Sequence, residues 1–363
     1  MFDRYAIGGA QRIFLDALQS VADVEKQIYF TRYSGDDKLK DAFFSTPNAA
    51  VRDIHRYCEN LFLRPFTIHY YAFYFNRHEN LHLFSSNSTF FFDLLPFLKN
   101  SVCKTELFHN FAHTKNGMEW FGLATSKYMN YRVVYDNYTY NNIRKQYEQY
   151  GLSELEFKKV LFIEPGVTIP ATLQKDYRPP LRVLYAGRGG PQKRVWLLNR
   201  VIEKLSEENI AVHFIFAGTM QDDLTEKTME VSTMLGGISK EEEMYLLYDS
   251  VHVLILTSIF EGFPMVIKES MACGCVPVVT ALEGNKMHLS TGVNALLIEH
   301  IADEEKVVNE AVRLIRELAS DNELLKRLSQ SAYDYARENF TRERFMEAYR
   351  VLLIERKAPT LQG

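Results

Sequence analysis

The sequence is poor in cysteine, in long apolar runs and in surplus charge. Only four cysteines occur in 363 residues, Cys58, Cys103, Cys273 and Cys275. Their spacing matches neither a zinc finger nor a disulfide framework, and Cys273-Gly274-Cys275 is tighter than a C-x-x-C pair. They read as small buried hydrophobes in a reducing compartment. The opening residues hold no apolar signal core, and no run approaches the ~18 apolar residues needed to span a bilayer. A cytoplasmic protein is expected, with any membrane contact peripheral. The formal net charge of -4 excludes a generally basic nucleic-acid binder, though not a local basic patch. Low-complexity tracts, short-period repeats and an Asp-x-Asp metal motif are also missing.

What is present is an ordinary globular composition, 47% hydrophobic and 24% charged, in a chain long enough for two domains. Aromatics make up 13% and crowd the first half, from Phe62 through Phe66, Tyr70, Tyr71 and Phe73 to Phe90–Phe92 and Phe97. Most belong in a core; a subset suits an apolar surface for a sugar or lipid-linked acceptor. Lys99, Lys104, Lys115, Lys127, Arg132, Arg144 and Lys145 give this half scattered basic charge, either a solvated face or a membrane-docking patch.

Apolar strands alternate with amphipathic helical stretches, the rhythm of α/β domains with parallel sheets. Strands are expected at Gln27–Tyr33, Leu81–Phe84, Lys104–His109, Arg132–Tyr135 and Val160–Ile163. After a polar, proline-bearing linker at Gln174–Pro180 the pattern restarts at Leu181–Ala186, Val212–Ala217, Val251–Leu256, Val276–Val279 and Ala295–Ile298. Two domains follow, residues 1–173 and 174–339, with a last helix at about 340–363 packing back on the first. A cleft between them would receive ligands at the carboxyl ends of the strands.

Three segments carry chemistry. The strand Val253–Leu256 leads through Thr257-Ser258 into Glu261-Gly262-Phe263-Pro264 and then a helix. Proline suits its first turn, and the free N–H groups of Phe263, Met265 and Val266 form an anion site at its positive end. Glu269, further into the helix, suits a ribose diol; Glu261, on the loop, suits a sugar. Tyr185-Ala186-Gly187-Arg188 runs into a glycine turn ending at Lys193, and its two cations, five residues apart, suit either the charge of a departing diphosphate or a solvated basic turn. Gly8 and Gly9, in Gly8-Gly9-Ala10-Gln11-Arg12, precede a helix. At the end of the third strand stands His109, with His113 its rival; a satisfied histidine is the alternative to a sugar-facing one.

The string from Thr257 to Val279, with Glu261 and Glu269 in Glu-x7-Glu spacing, resembles the signature of the retaining family 4 glycosyltransferases. Gly187-Arg188 with Lys193 is similar to that family's Gly-Arg-x4-Lys element, and the Gly8-Gly9 loop resembles its Gly-Gly-Ala-Glu-Arg loop with Gln11 in place of glutamate. The resemblance implies a GT-B fold, two facing Rossmann-like domains around a cleft, and transfer of a sugar with retention. The donor would be a UDP- or GDP-linked sugar and the acceptor a saccharide or a lipid-linked one. Arg188 and Lys193 would grip the diphosphate without a metal. Gly237 and Ile238 would pass the base, and Glu283-Gly284-Asn285 would border the diphosphate. Polysaccharide, lipopolysaccharide or glycolipid assembly is the setting it suggests. The family has a complete first strand before the Gly-Gly loop, so either that strand is shortened here or the true start lies upstream. A nucleotide-sugar epimerase and a non-catalytic partner subunit are the alternatives on the same fold.

Overall fold

The computed structural model describes residues 1–5, 9–35, 37, 39–109, 111, 117–238 and 240–359, with residues 9–12 as backbone only. It divides into two compact units, Met1–Pro165 with Glu343–Gly363, and Gly166–Arg342. The first division falls before the expected linker. Val167 donates its N–H to Phe340 O at 2.8 Å and bridges to Thr341, which ties the segment after Pro165 to the second unit. Among the described residues no helix is long and apolar enough to cross a membrane.

In the first unit every strand pairing is parallel. β1 (Lys26–Phe30) pairs with β2 (Ala49–Asp53), and β3 (His82–Ser86), β4 (Cys103–Leu107), β5 (Tyr131–Val134) and β6 (Val160–Phe162) follow in order. Phe2 joins the two ladders, bridging Phe30 on one side and Ser86 on the other. Met1 N–H donates to Phe84 O at 2.6 Å, and burial pushes that amino group down to about 5. The helix from the Gly-Gly segment begins at Gly9 and runs to Gln19. Phe345, Tyr349 and Leu352 pack into the same core as Phe2 and Phe14.

Two of the seven scattered cations belong to this interior instead of a solvated patch. Lys104 is buried and donates to Lys99 O at 3.1 Å. Arg132 and Glu106 are register partners on β5 and β4, buried together with Nε and Oε2 2.8 Å apart, and the guanidinium lies 4.3 Å from the Phe108 ring centre. Lys115 lies outside the described residues.

The second unit holds six parallel strands: β7 (Leu181–Arg188), β8 (Val212–Thr219), β9 (Thr233–Gly236), β10 (Val253–Leu256), β11 (Val276–Thr280) and β12 (Leu296–Ile298). Their spatial order is β12-β11-β10-β7-β8-β9. That is the doubly wound order, in which the chain moves outward from β7 and then returns to start again at β10 on its other side. The inner strands β10 and β11 read as apolar runs, and every residue of both is buried.

Gly187 and Gly218 are register partners at the carboxyl ends of β7 and β8. Gly218 has φ +127, and a Cβ there would strike Gly187 O. Glycine alone meets both demands. Gly218→Ala is expected to cost about 3 kcal/mol or more in urea unfolding, from combined strain and overlap. An unchanged midpoint would show that this close approach is relaxed.

Candidate active site

A topological switch point lies between β7 and β10, where crevices form at strand carboxyl ends. Arg188 is the last residue of β7, exposed at the carboxyl end of this central strand. Beyond it the chain turns sharply. Gly190, at φ +103, donates its N–H to Asp223 Oδ2 at 2.6 Å, and its carbonyl accepts from the N–H groups of Lys193 and Arg194 at 3.0 and 3.1 Å.

This turn is stitched to the loop after β10. Ile259 N–H donates to Gln192 O at 2.9 Å, and the Gln192 side-chain amide donates to Phe260 O at 3.0 Å. Thr257 Oγ1 donates to Lys193 O and Arg194 O, both at 3.1 Å. Arg194 is buried and spends its guanidinium on Thr257 O and Ile301 O, at 2.9 and 2.8 Å. The turn therefore carries three cations with different fates. Arg194 is structural, and Arg188 meets no ion-pair partner among the described residues. Lys193 Nζ lies 2.6 Å from Glu261 Oε1.

That same Glu261 oxygen accepts from Ser258 Oγ. Ser258 is in turn held from β11, its carbonyl accepting from Thr280 Oγ1 at 2.7 Å. The helix Met265–Ala272 begins after Pro264 with no side-chain cap, which leaves the first-turn N–H groups of Met265 and Val266 free of one. Phe263 stacks on His288 with centroids 4.4 Å apart, fixing the loop before them. The Glu283–Lys286 turn packs onto it, since a Cβ at Gly284 would strike Gly262 O. Half-buried Glu269 accepts from Tyr248 Oη at 2.8 Å. Burial, and then Glu269, push that phenol well above its ordinary range.

The structure thus gathers Arg188, Lys193 and Glu261 with the Phe263, Met265 and Val266 backbone around adjacent carboxyl ends of one sheet. Gly237 and Ile238 follow the carboxyl end of β9, at the sheet's edge two strands from β7. Gly8 and His113 lie outside the described residues, and Gly9 opens its helix. Sequence reasoning missed Ser258, Tyr248 and Asp223. Ser258 lies within the recognised string, three residues before Glu261, whereas Tyr248 and Asp223 come from distant segments with no local signal.

His109 belongs to the first unit, just past β4. It is 8% exposed between Phe14 and Tyr135, at 5.0 and 5.3 Å, and among the described residues neither ring nitrogen has a hydrogen-bond partner. Burial pushes the imidazole down to about 3. Both ring nitrogens are closed off from solvent in this structure.

Two units, each a parallel sheet with crossover helices, define the GT-B class of α/β fold. Residues 174–335 match the family model described as glycosyl transferases group 1. It is 33% identical over 102 residues to the sulfoquinovosyl transferase SQD2 of Arabidopsis thaliana, covering 28% of this chain and 19% of that protein. It is also 33% identical over 104 residues to the lipopolysaccharide core biosynthesis glycosyltransferase LpsE of Rhizobium meliloti, covering 29% of each. The matched stretches therefore span well under a third of these curated relatives. The solved structure of HepE (Alr3699) from Anabaena in complex with UDP superposes with a TM-score of 0.72 at 13% identity, over 95% of this chain and 97% of that one. At that identity the likeness shows the shared fold.

The buried imidazole makes a pH prediction. Its folded value lies below the ordinary 6.5, so the unfolded chain takes up a proton that the native chain refuses. The neutral site's stability is present above about pH 6.5 and is lost as pH falls. Between pH 6.5 and pH 5 the loss from this residue should be about 2 kcal/mol. His109→Phe should lose that much less than wild type in urea melts at the two pH values. His82 and His252, each pushed down to about 4 chiefly by burial, act alike in both proteins and cancel. An identical pH dependence in the variant would mean that the imidazole is protonated freely in the folded chain.

Proposed function

We propose that this protein transfers a sugar from a UDP- or GDP-linked donor to a hydroxyl of a saccharide or lipid-linked acceptor, with retention at the anomeric carbon. The observation that carries the reading is the Lys193–Glu261 pair at 2.6 Å beside exposed Arg188, at the switch point of a doubly wound sheet. Two cations and the uncapped helix start at Met265 suit a diphosphate. The family match and the neighbour solved with UDP support the same donor class.

In this reading Arg188 and Lys193 hold the diphosphate, with the N–H groups of Phe263, Met265 and Val266. Glu269, steadied by Tyr248, takes the ribose diol, and Glu261 takes sugar hydroxyls while orienting Lys193. As the bond from the anomeric carbon to the phosphate oxygen breaks, its electron pair passes to the diphosphate. The two cations meet that growing charge, a role that asks for no metal. The acceptor oxygen bonds the anomeric carbon and its proton leaves on the departing phosphate oxygen. His109 serves as a donor-sugar contact. Polysaccharide, lipopolysaccharide or glycolipid assembly is the proposed setting, in keeping with the name of the lipopolysaccharide core relative.

Nucleoside diphosphate release from a panel of UDP- and GDP-sugars, with product configuration read by NMR, tests the proposal. Arg188→Ala and Lys193→Ala should each cut turnover about 100- to 1,000-fold, the scale of losing one charge-stabilising group. Near-normal rates in both would sink the assignment, and an inverted product would sink retention. Glu269→Ala should act on nucleotide affinity, weakening it about tenfold or more by calorimetry through loss of charge-assisted hydrogen bonds. Unchanged affinity would remove its ribose role.

A further inference from the structure

The helix Arg64–Phe75 buries one face in the first unit and leaves the other bare. Ala72 and Phe75 are buried, and Ile68, Tyr71 and Tyr74 pack on the same core. On the opposite side Phe66, Tyr70 and Phe73 are 75%, 62% and 64% exposed, and the turn before the helix adds Leu61 and Phe62 at 84% and 85%. Phe66, Tyr70 and Phe73 recur every three or four residues, so they follow one side of a helix about 18 Å long, and exposed Phe62 lies in the turn that leads into it. A contiguous apolar strip of this kind marks an interaction face.

Polar groups hold this strip outward without covering it. Asn60 Oδ1 accepts from the N–H groups of Phe62 and Leu63 at 3.0 and 3.1 Å, which fixes the Leu61-Phe62-Leu63 turn. Arg64 anchors the helix start through Asp93 Oδ2 at 2.5 and 2.9 Å and Cys58 O at 2.6 Å. At the other end Asn76 accepts from Lys99 N–H and donates to Phe97 O, both at 2.8 Å. This pins exposed Phe97 beside the strip, its ring 4.7 Å from His69.

The surrounding charge favours one partner. The helix itself carries no acidic residue. At its carboxyl end exposed Arg77, His78 and Lys99 line one shallow hollow with a single acid, Glu79. Among the described residues neither Arg77 nor Lys99 has an ion-pair partner, and Arg77 lies 5.5 Å from the Phe73 ring centre. A second copy of this chain would bring the same positive end to the contact. An anionic surface complements it.

We propose that this face docks the protein on an anionic lipid bilayer. Phe62, Phe66, Tyr70 and Phe73 enter the interfacial layer, with Leu61 beside them, and Arg77 and Lys99 meet lipid phosphates. The inference stands on these exposed residues and does not need the transferase reading.

Sedimentation of the full chain with lipid vesicles tests it, apart from any turnover measurement. The chain should bind phosphatidylglycerol–phosphatidylcholine vesicles about tenfold or more tightly than phosphatidylcholine vesicles, and lose that preference in high salt. Phe62→Ser/Phe66→Ser should weaken binding to anionic vesicles at least about tenfold. Arg77→Glu/Lys99→Glu should abolish the preference for phosphatidylglycerol. Both variants should keep the wild-type melting temperature, since all four side chains are exposed. Wild-type protein that stays in solution with either vesicle, or a Phe62→Ser/Phe66→Ser variant that binds as wild type does, would overturn the proposal. So would sedimentation velocity without lipid that shows dimers dissolved by that variant, which would assign the face to a second copy.

Discussion

The carboxylate of Glu261 is the point on which the site's geometry turns. One of its oxygens takes both the Lys193 ammonium, at 2.6 Å, and the Ser258 hydroxyl. Lys193 arrives from the turn after β7 and Ser258 from the loop after β10, so one atom joins the two sides of the switch point. The joint is repeated by the Ile259 N–H on Gln192 O and by the Thr257 hydroxyl on Lys193 O and Arg194 O. A lysine held this way is an oriented charge and not a free arm. Its position is set before any ligand arrives, which is what electrostatic stabilisation of a developing anion requires.

Strand order explains why that joint exists. β7 and β10 are neighbours in the sheet although β8 and β9 separate them in the chain. Their carboxyl ends diverge into different loops, and the space between must be bridged by side chains. Buried Arg194 serves that need from within, its guanidinium spent on Thr257 and Ile301 carbonyls. Among the described residues the Arg188 guanidinium has no ion-pair partner. The division between a structural and an available cation, six residues apart, follows from burial.

The second unit was the more legible half, for a physical reason. Its inner strands are buried on both faces and appear as apolar runs, so Leu181, Val212 and Val276 begin strands where the run begins, whereas the edge strand β9, with no fully buried residue, passed unnoticed. The Glu261–Glu269 string and the Gly187–Lys193 turn are local in sequence, so their chemistry could be read from spacing. The partners that steady them are not local: Tyr248 reaches Glu269 and Asp223 reaches Gly190 only through tertiary folding. In the first unit β2 passed unnoticed, because Ala49–Asp53 is a half-exposed edge strand without an apolar run. Composition alone could not separate the buried aromatics Phe90–Phe92 from exposed Phe62 and Phe66, nor buried Lys104 and Arg132 from solvated cations. Their fate depends on which face of a helix or strand meets the core.

The central claim is that Arg188 and Lys193 form a diphosphate site at this switch point. Calorimetric titration of UDP, GDP and their parent nucleosides against wild type and the Arg188→Ala/Lys193→Ala variant addresses it directly. The account predicts that one diphosphate binds wild type about 100-fold or more tightly than its nucleoside, on the scale of two charge-assisted contacts, and that the double variant erases this advantage. Equal affinities of diphosphate and nucleoside for wild type, or an advantage that survives in the variant, would contradict it.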